Sequence, residues 1–339
     1  MSTVGIALVG CAHIHTPNFI GRINARKNLR TLAVWDTDNA RAKKCAEELH
    51  APVVASLEAI FNDRAITALV ICSETHRHEE LVIPAAAARK HLFVEKPLGI
   101  GARDAGRMAD AIERAGVVFQ TGYFMRGQGC YRFLREQIAA GAFGAITRVR
   151  VAQCHPGALQ GWFDTEWRWM ADPRLAGFGA FGDLGTHALD VLMWCLGDIT
   201  EVTAATTPGT RRYGDCDEAG EALLRFRNGA LGSIGAGWID AYNDVRFVIS
   251  GMEGYAHITG DNLFVCSPHI AGADGTTPWT DVPATLPHAF DMFLDAISGT
   301  PGLPLVSARE AAQRCAVMEA IYAAQRARAW ISIDAPAAT

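Results

Sequence analysis

Short, unbroken apolar runs alternate with longer amphipathic stretches through the first third of the chain. Residues 4–9, 32–35, 68–72 and 91–94 are strand-like and almost wholly apolar, as strands buried on both faces of a parallel sheet are. Between them, residues 16–27, 41–49, 79–89 and 102–115 read as helices. Residues 53–54 add a short strand, Ser56 caps a helix that runs through Phe61, and residues 117–123 form a last strand. Strand and helix in turn predict a doubly wound α/β domain over residues 1–124.

From residue 125 the pattern changes. After a helix at 131–140, strand-like segments follow at 145–153, 201–207, 218–227, 230–238, 245–250, 255–259 and 263–266. Asn228-Gly229 is a hairpin signal between two of them. Helices at 287–297 and 307–329 close the chain. Residues 125–339 are therefore expected to form an α+β domain on a large, open, mostly antiparallel sheet. One face of that sheet is left for a second copy, in a homodimer or homotetramer.

Composition narrows the partners. A length of 339 residues suits two domains, and half the residues are hydrophobic. A net charge of -5 argues against nucleic acid or an anionic membrane. No apolar run is long enough to cross a bilayer. The first residues enter a strand without a basic stretch, so no signal peptide is expected. Nine cysteines without a C-x-x-C pair read as free thiols in a reducing cytoplasm.

Candidate chemistry begins after the first strand, at Gly10-Cys11-Ala12-His13-Ile14-His15-Thr16-Pro17. Strand, glycine turn, helix, strand and then Asp36 is the layout of a dinucleotide half-site. The glycine fingerprint is incomplete, with Ala12 and His15 at its second and third positions. A carboxylate at Asp36 would accept from ribose hydroxyls and repel a 2′-phosphate, which predicts NAD over NADP. Asp36 also fits a plain turn residue, because Asp36-Thr37-Asp38-Asn39 is turn-rich. His13 and His15 could reach a pyrophosphate at the helix start, or be polar loop residues. Ser73, His78, Glu95 and Lys96 stand at carboxyl ends of later strands, where such sheets place ligands. His13, His15, His76 and His78 lack the carboxylate or thiolate partners of a zinc set, so no metal is expected.

The second focus is residues 177–190. Gly177, Gly179 and Gly182 form a close-approach loop, and a helix then starts. Asp183, His187 and Asp190 are spaced i, i+4, i+7 and would share one stripe of it. Asp183 can cap the helix, and His187, between two carboxylates, has what a general base needs. The same spacing fits a cap followed by a buried hydrogen-bonded pair. Upstream, Gly161–Met170 as a sequence holds Trp162, Trp167 and Trp169 with charges between them, suited to a polyhydroxylated ring or to core packing. Tyr123, Arg126, Trp162 and Arg168 are the candidate substrate-binding side chains, with Asp183 and His187.

Glu95-Lys96-Pro97 after a strand, with Gly-x-x-x-Asp-x-Gly-x-His-x-x-Asp at 179–190, resembles the Gfo/Idh/MocA oxidoreductases. The resemblance spans nearly the whole chain and includes Arg168 with Asp172-Pro173. It implies an N-terminal Rossmann domain, a C-terminal sheet domain and NAD(P)-dependent oxidation of a secondary hydroxyl in a sugar, polyol or glycoside. Lys96 resembles the catalytic lysine beside the nicotinamide, Asp183 the substrate-binding acid, and His187 the proton-transfer residue. Ser73-Glu74 stands where the family often has Thr-Pro. An NAD-dependent glycosidase working by transient oxidation and elimination would use the same residues. A noncatalytic dinucleotide-binding regulator is the reading from another class.

Overall fold

A computed structural model describes residues 3–333, and its strands follow the apolar runs. The chain passes through β1 (Val4–Val9), α1 (Thr16–Asn24), β2 (Leu29–Trp35), α2 (Asn39–Glu48), α3 (Leu57–Asn62), β3 (Ile66–Ile71), α4 (His78–Ala87), β4 (His91–Val94), α5 (Ala102–Ala115) and β5 (Phe119–Thr121). It continues through α6 (Gly129–Ala139), β6 (Ile146–Cys154), a short α7 (Pro173–Ala176), α8 (Ala180–Leu196), β7 (Ile199–Thr207), β8 (Ala219–Phe226), β9 (Leu231–Gly237), β10 (Val245–Gly251), β11 (Tyr255–Thr259) and β12 (Asn262–Cys266). Last come α9 (Ala289–Ile297), α10 (Ala308–Ala327) and β13 (Ile331–Ser332).

Two sheets carry the fold. The first is parallel and five-stranded, in the order β2-β1-β3-β4-β5. The second is eight-stranded, in the order β12-β11-β10-β6-β9-β8-β7-β13. Its pairs are antiparallel apart from β6 with β9. Residues 53–54 do not form the expected strand, and only a bridge from Val53 to Val34 remains of it. Among the described residues, no helix is long and apolar enough to cross a membrane.

The chain divides into two compact units. The first takes the described residues up to Tyr123 together with Asp164–Gly177 and Pro287–Ala316. The second takes Phe124–Phe163, Phe178–Leu286 and the described residues from Val317 on. The expected domain over 125–339 is thus not continuous, because two of its segments return to the first unit.

The reason for the second return is apolar. A parallel sheet needs cover on both faces. Phe290 of α9 lies 4.4 Å from Phe19 and 4.8 Å from Phe93, ring centre to ring centre, and Phe293 lies 5.8 Å from Phe93. All four rings are buried. Polar contacts flank this cluster. Arg22 pairs with Asp291 and Arg26 with Asp295, so one face of α1 meets one face of α9 through matched i, i+4 charges.

Replacing Phe290 with Ala should remove about 3–5 kcal/mol of stability from the first unit, the usual range for emptying a buried aromatic site. Urea unfolding followed by circular dichroism would report it. An unchanged midpoint would mean that α9 is not part of this core.

Candidate active site

The first unit presents its candidate residues where β1, β3 and β4 end. β1 pairs with β2 on one side and β3 on the other, so the chain order reverses across it. The crevice beyond the carboxyl end of such a strand is where open α/β sheets take ligands. Gly10 makes the turn there, at φ +79°. A Cβ on it would lie 2.5 Å from the Cβ of Ser73, so only glycine allows the ends of β1 and β3 to approach this closely. Ala12 is buried, and its carbonyl accepts from Trp169 Nε1 at 2.9 Å.

α1 starts one residue earlier than a Thr16 cap would set it. His15 is the N-cap, its side chain makes no capping bond, and Pro17 falls in the first turn. The first-turn N–H groups of α1 are therefore not closed off by the cap side chain, an arrangement that suits a pyrophosphate. A cavity of ≈ 260 Å³ opens beside Cys11, His13, Arg41, Lys44 and Trp167.

Asp36 takes the turn role expected of it. Its Oδ2 accepts from Cys11 N at 2.6 Å, and its Oδ1 from Asp38 N at 2.7 Å, which ties the turn together. Oδ1 also accepts from Arg41 Nη2 at 2.8 Å, and the same nitrogen reaches Glu74 Oε1 at 2.9 Å. Arg41 was not visible as a site residue in the sequence. The available signal was a basic residue in the first turn of the helix after the β2 acid.

The histidines separate. His76 Nδ1 lies 3.3 Å from the Leu175 carbonyl and His78 Nδ1 3.1 Å from the Leu98 carbonyl. Burial pushes the imidazole pKa of His78 down. Ser73 donates its hydroxyl to the Glu74 carbonyl at 3.1 Å. Neither His76 nor His78 joins His13 and His15.

Those two instead meet Glu95. His15 Nδ1 lies 2.8 Å and His13 Nδ1 3.7 Å from Glu95 Oε1. The other oxygen of Glu95 accepts the backbone N–H of Lys96 at 2.7 Å. Burial pushes the carboxyl pKa of Glu95 up, but the charges of His13, His15 and Lys96 outweigh this and hold it well below the usual carboxylate range. Lys96 is buried and joined to Pro97 by a cis peptide bond. Gly122 allows β5 to end against this turn, since a Cβ on it would lie 3.1 Å from Glu95 Oε2.

The second unit contributes α8. It starts at Ala180, so Gly182 lies inside it and Asp183 belongs to its first turn rather than capping it. The capping role falls on Gly179 and on groups from elsewhere in the unit. Asp217 accepts from Ala180 N at 2.9 Å through its carbonyl and from Phe181 N at 2.8 Å through Oδ2. The Tyr322 hydroxyl accepts from Gly182 N at 2.9 Å and donates to Asp217 at 3.0 Å. Asp183, His187 and Asp190 all lie on this helix. Asp183 Oδ2 accepts from Trp238 Nε1 at 3.0 Å, and Trp238 packs on Phe163 with ring centres 4.0 Å apart. Trp238 carried no signal in the sequence. His187 is buried, with the Phe124 ring edge-on at 5.0 Å.

Two of the expected substrate-binding residues have partners within the protein's own framework. Arg126 grips Asp190 with both arms, Nε to Oδ2 at 2.8 Å and Nη2 to Oδ1 at 2.5 Å, and only 11% of its side chain is exposed. A guanidinium held in this way is part of the second unit's framework. Tyr123 is buried with the apolar core of the parallel sheet rather than standing on an open loop. Trp162 and Arg168 remain exposed, in different units. Trp162 packs on His155 at 4.8 Å, and Arg168 faces Asp164 at 3.6 Å.

Residues 4–123 match the family model described as oxidoreductase family, NAD-binding Rossmann fold, and residues 131–257 match the GFO/IDH/MocA C-terminal domain. The chain is 29% identical over 257 residues to the myo-inositol 2-dehydrogenase of Thermotoga maritima, covering 72% of this chain and 73% of that one. It is 27% identical over 302 residues to the 1,5-anhydro-D-fructose reductase of Ensifer adhaerens, covering 86% and 87%. The WlbA dehydrogenase of Bordetella pertussis, solved in complex with NADH and UDP-GlcNAcA, aligns with a TM-score of 0.80 at 25% identity, over 98% of this chain and 100% of that one. With both halves matched, the chain belongs to the GFO/IDH/MocA oxidoreductases and carries that family's NAD-binding Rossmann domain ahead of its C-terminal domain.

Proposed function

We propose that this chain oxidises a secondary hydroxyl of a sugar, polyol or glycoside with NAD as hydride acceptor. The carrying observation is the stripe on α8. Asp183 is anchored by Trp238 and Asp190 by Arg126, so both acids flanking His187 are fixed in place. The activities for which the relatives are named, on an inositol and an anhydro-sugar, support the substrate class.

The dinucleotide fits the first unit. Gly10 lets β1 and β3 end side by side, the α1 start has no side-chain cap, and Asp36 stands at the β2 end. When bound, the nicotinamide supplies the hydride chemistry. The chain's own residues handle charge and protons. In the oxidation direction, His187 accepts the hydroxyl proton. Lys96, as an ammonium, stabilises the developing alkoxide. Asp183 holds the hydroxyl and orients the imidazole. Asp36 selects the ribose, and Arg41, engaged by two carboxylates, is not available to a 2′-phosphate without breaking an ion pair.

His187→Ala should lower turnover about a hundredfold or more while NAD binding is retained. The assay is NADH formation on a panel of sugars and polyols, which must be sustained in steady state if the chain is a dehydrogenase. Unchanged turnover in the variant would reject the role of His187. For the cofactor, fluorescence titration with each dinucleotide should show NAD bound more tightly than NADP. The opposite order would remove the role given to Asp36.

A further inference from the structure

His13, His15 and Glu95 do something the glycine fingerprint does not require. The second glycine of that fingerprint lets backbone approach a pyrophosphate, and the third lets helix and strand pack closely. Here the loop carries two imidazoles, and both turn to one buried carboxylate at the end of β4. Their ligand atoms all lie within 4.8 Å of one another. Two of the separations, 2.8 and 3.7 Å, bracket the edge of about 3.4 Å expected between neighbouring ligands around a tetrahedral ion at 2.0–2.1 Å.

We propose that His13, His15 and Glu95 form a binding site for a divalent transition ion of the zinc class. The donor set decides the class. Two imidazoles and one carboxylate favour zinc, cobalt or ferrous iron, whereas calcium and magnesium call for a shell of oxygens. Three protein ligands leave a fourth position for water, as in open zinc sites. Access is built in: the His15 side chain is 45% exposed, while that of Glu95 is 1% exposed. The two rings meet edge-on with centres 4.7 Å apart, and an ion on His13 Nδ1 would replace the bond that this atom accepts from His15 N at 3.2 Å. His288 is a further imidazole in the same unit, close enough for Glu95 and His15 to act on it electrostatically. An ion there would neutralise part of the Glu95 charge next to Lys96. The sequence withheld this set because its carboxylate lies 80 residues from His15.

The test uses the full chain, stripped with a chelator. Co²⁺ is added and followed by visible absorption, and Zn²⁺ is titrated against a chromophoric chelator. One equivalent should bind, with the visible bands of a nitrogen- and oxygen-ligated cobalt centre. His15→Ala, at a half-exposed position that should not disturb folding, should weaken binding at least tenfold, as should Glu95→Gln. His76→Ala should bind as the parent does. Absence of stoichiometric binding by the parent chain, or equal binding by His15→Ala, would overturn the site. A sulfur-to-cobalt charge-transfer band would also overturn it, by placing the ion on cysteines instead. None of these readouts depends on which alcohol is oxidised.

Discussion

A helix that starts inside a protein must find acceptors for its first N–H groups, and α8 depends on this more than any other element here. Asp217 and Tyr322 provide them. The arrangement is tight enough to dictate glycine: a Cβ on Gly179 would lie 2.3 Å from Asp217 Oδ1, and one on Gly182 would lie 2.2 Å from the Phe178 Cβ. Burial, more than any neighbour, raises the carboxyl pKa of Asp217, while the N–H of Phe181 and the Tyr322 hydroxyl act to lower it. Tyr322 is held in turn by stacking on Phe178, with ring centres 5.0 Å apart. The start of the helix sets the phase of everything after it. Moving the first turn by one residue would rotate Asp183, His187 and Asp190 by about 100° together.

That dependence explains which parts of the chain were legible. Period-2 and period-3.6 patterns are local, so strands such as Tyr255–Thr259 and the strand–helix alternation of the first unit could be read directly. The glycines of the 177–190 stretch were legible as close-approach residues, but the object approached was not. It is Asp217 and Phe178, not an open ligand loop. Arg126 was legible as a candidate substrate-binding side chain on a loop. Its actual partner, Asp190, is 64 residues away, and no local pattern carries that pairing. Phe290 and Phe293 were visible as helix residues, but not as the cover for a sheet formed nearly 200 positions earlier.

Trp238 and Arg41 show a second limit. Each acts on a residue that the motif does identify, Asp183 and Asp36 respectively. Motifs record the groups that meet ligands. The groups that aim them can sit anywhere the fold returns to, and their chemistry is ordinary taken singly. A tryptophan at the end of a strand and an arginine near a helix start are both common.

Two of the buried carboxylates, Asp190 and Glu95, show how differently the chain stabilises a charge away from water. Asp190 faces a guanidinium, which stays charged across any accessible pH and is matched to it in two parallel bonds. Such a pair is closed, and it serves as framework. Glu95 faces imidazoles, whose charge depends on a proton. An isolated carboxylate in that place would cost several kcal/mol. The backbone N–H of Lys96 and the His15 ring offset part of this by hydrogen bonding, and a positive charge near the carboxylate offsets more. A protonated histidine, the Lys96 ammonium or a divalent ion can each supply it. The structure has therefore placed, beside its candidate catalytic lysine, an acid whose stabilisation is exchangeable, and exchangeable positive charge at a strand end is what separates a ligand site from a salt bridge.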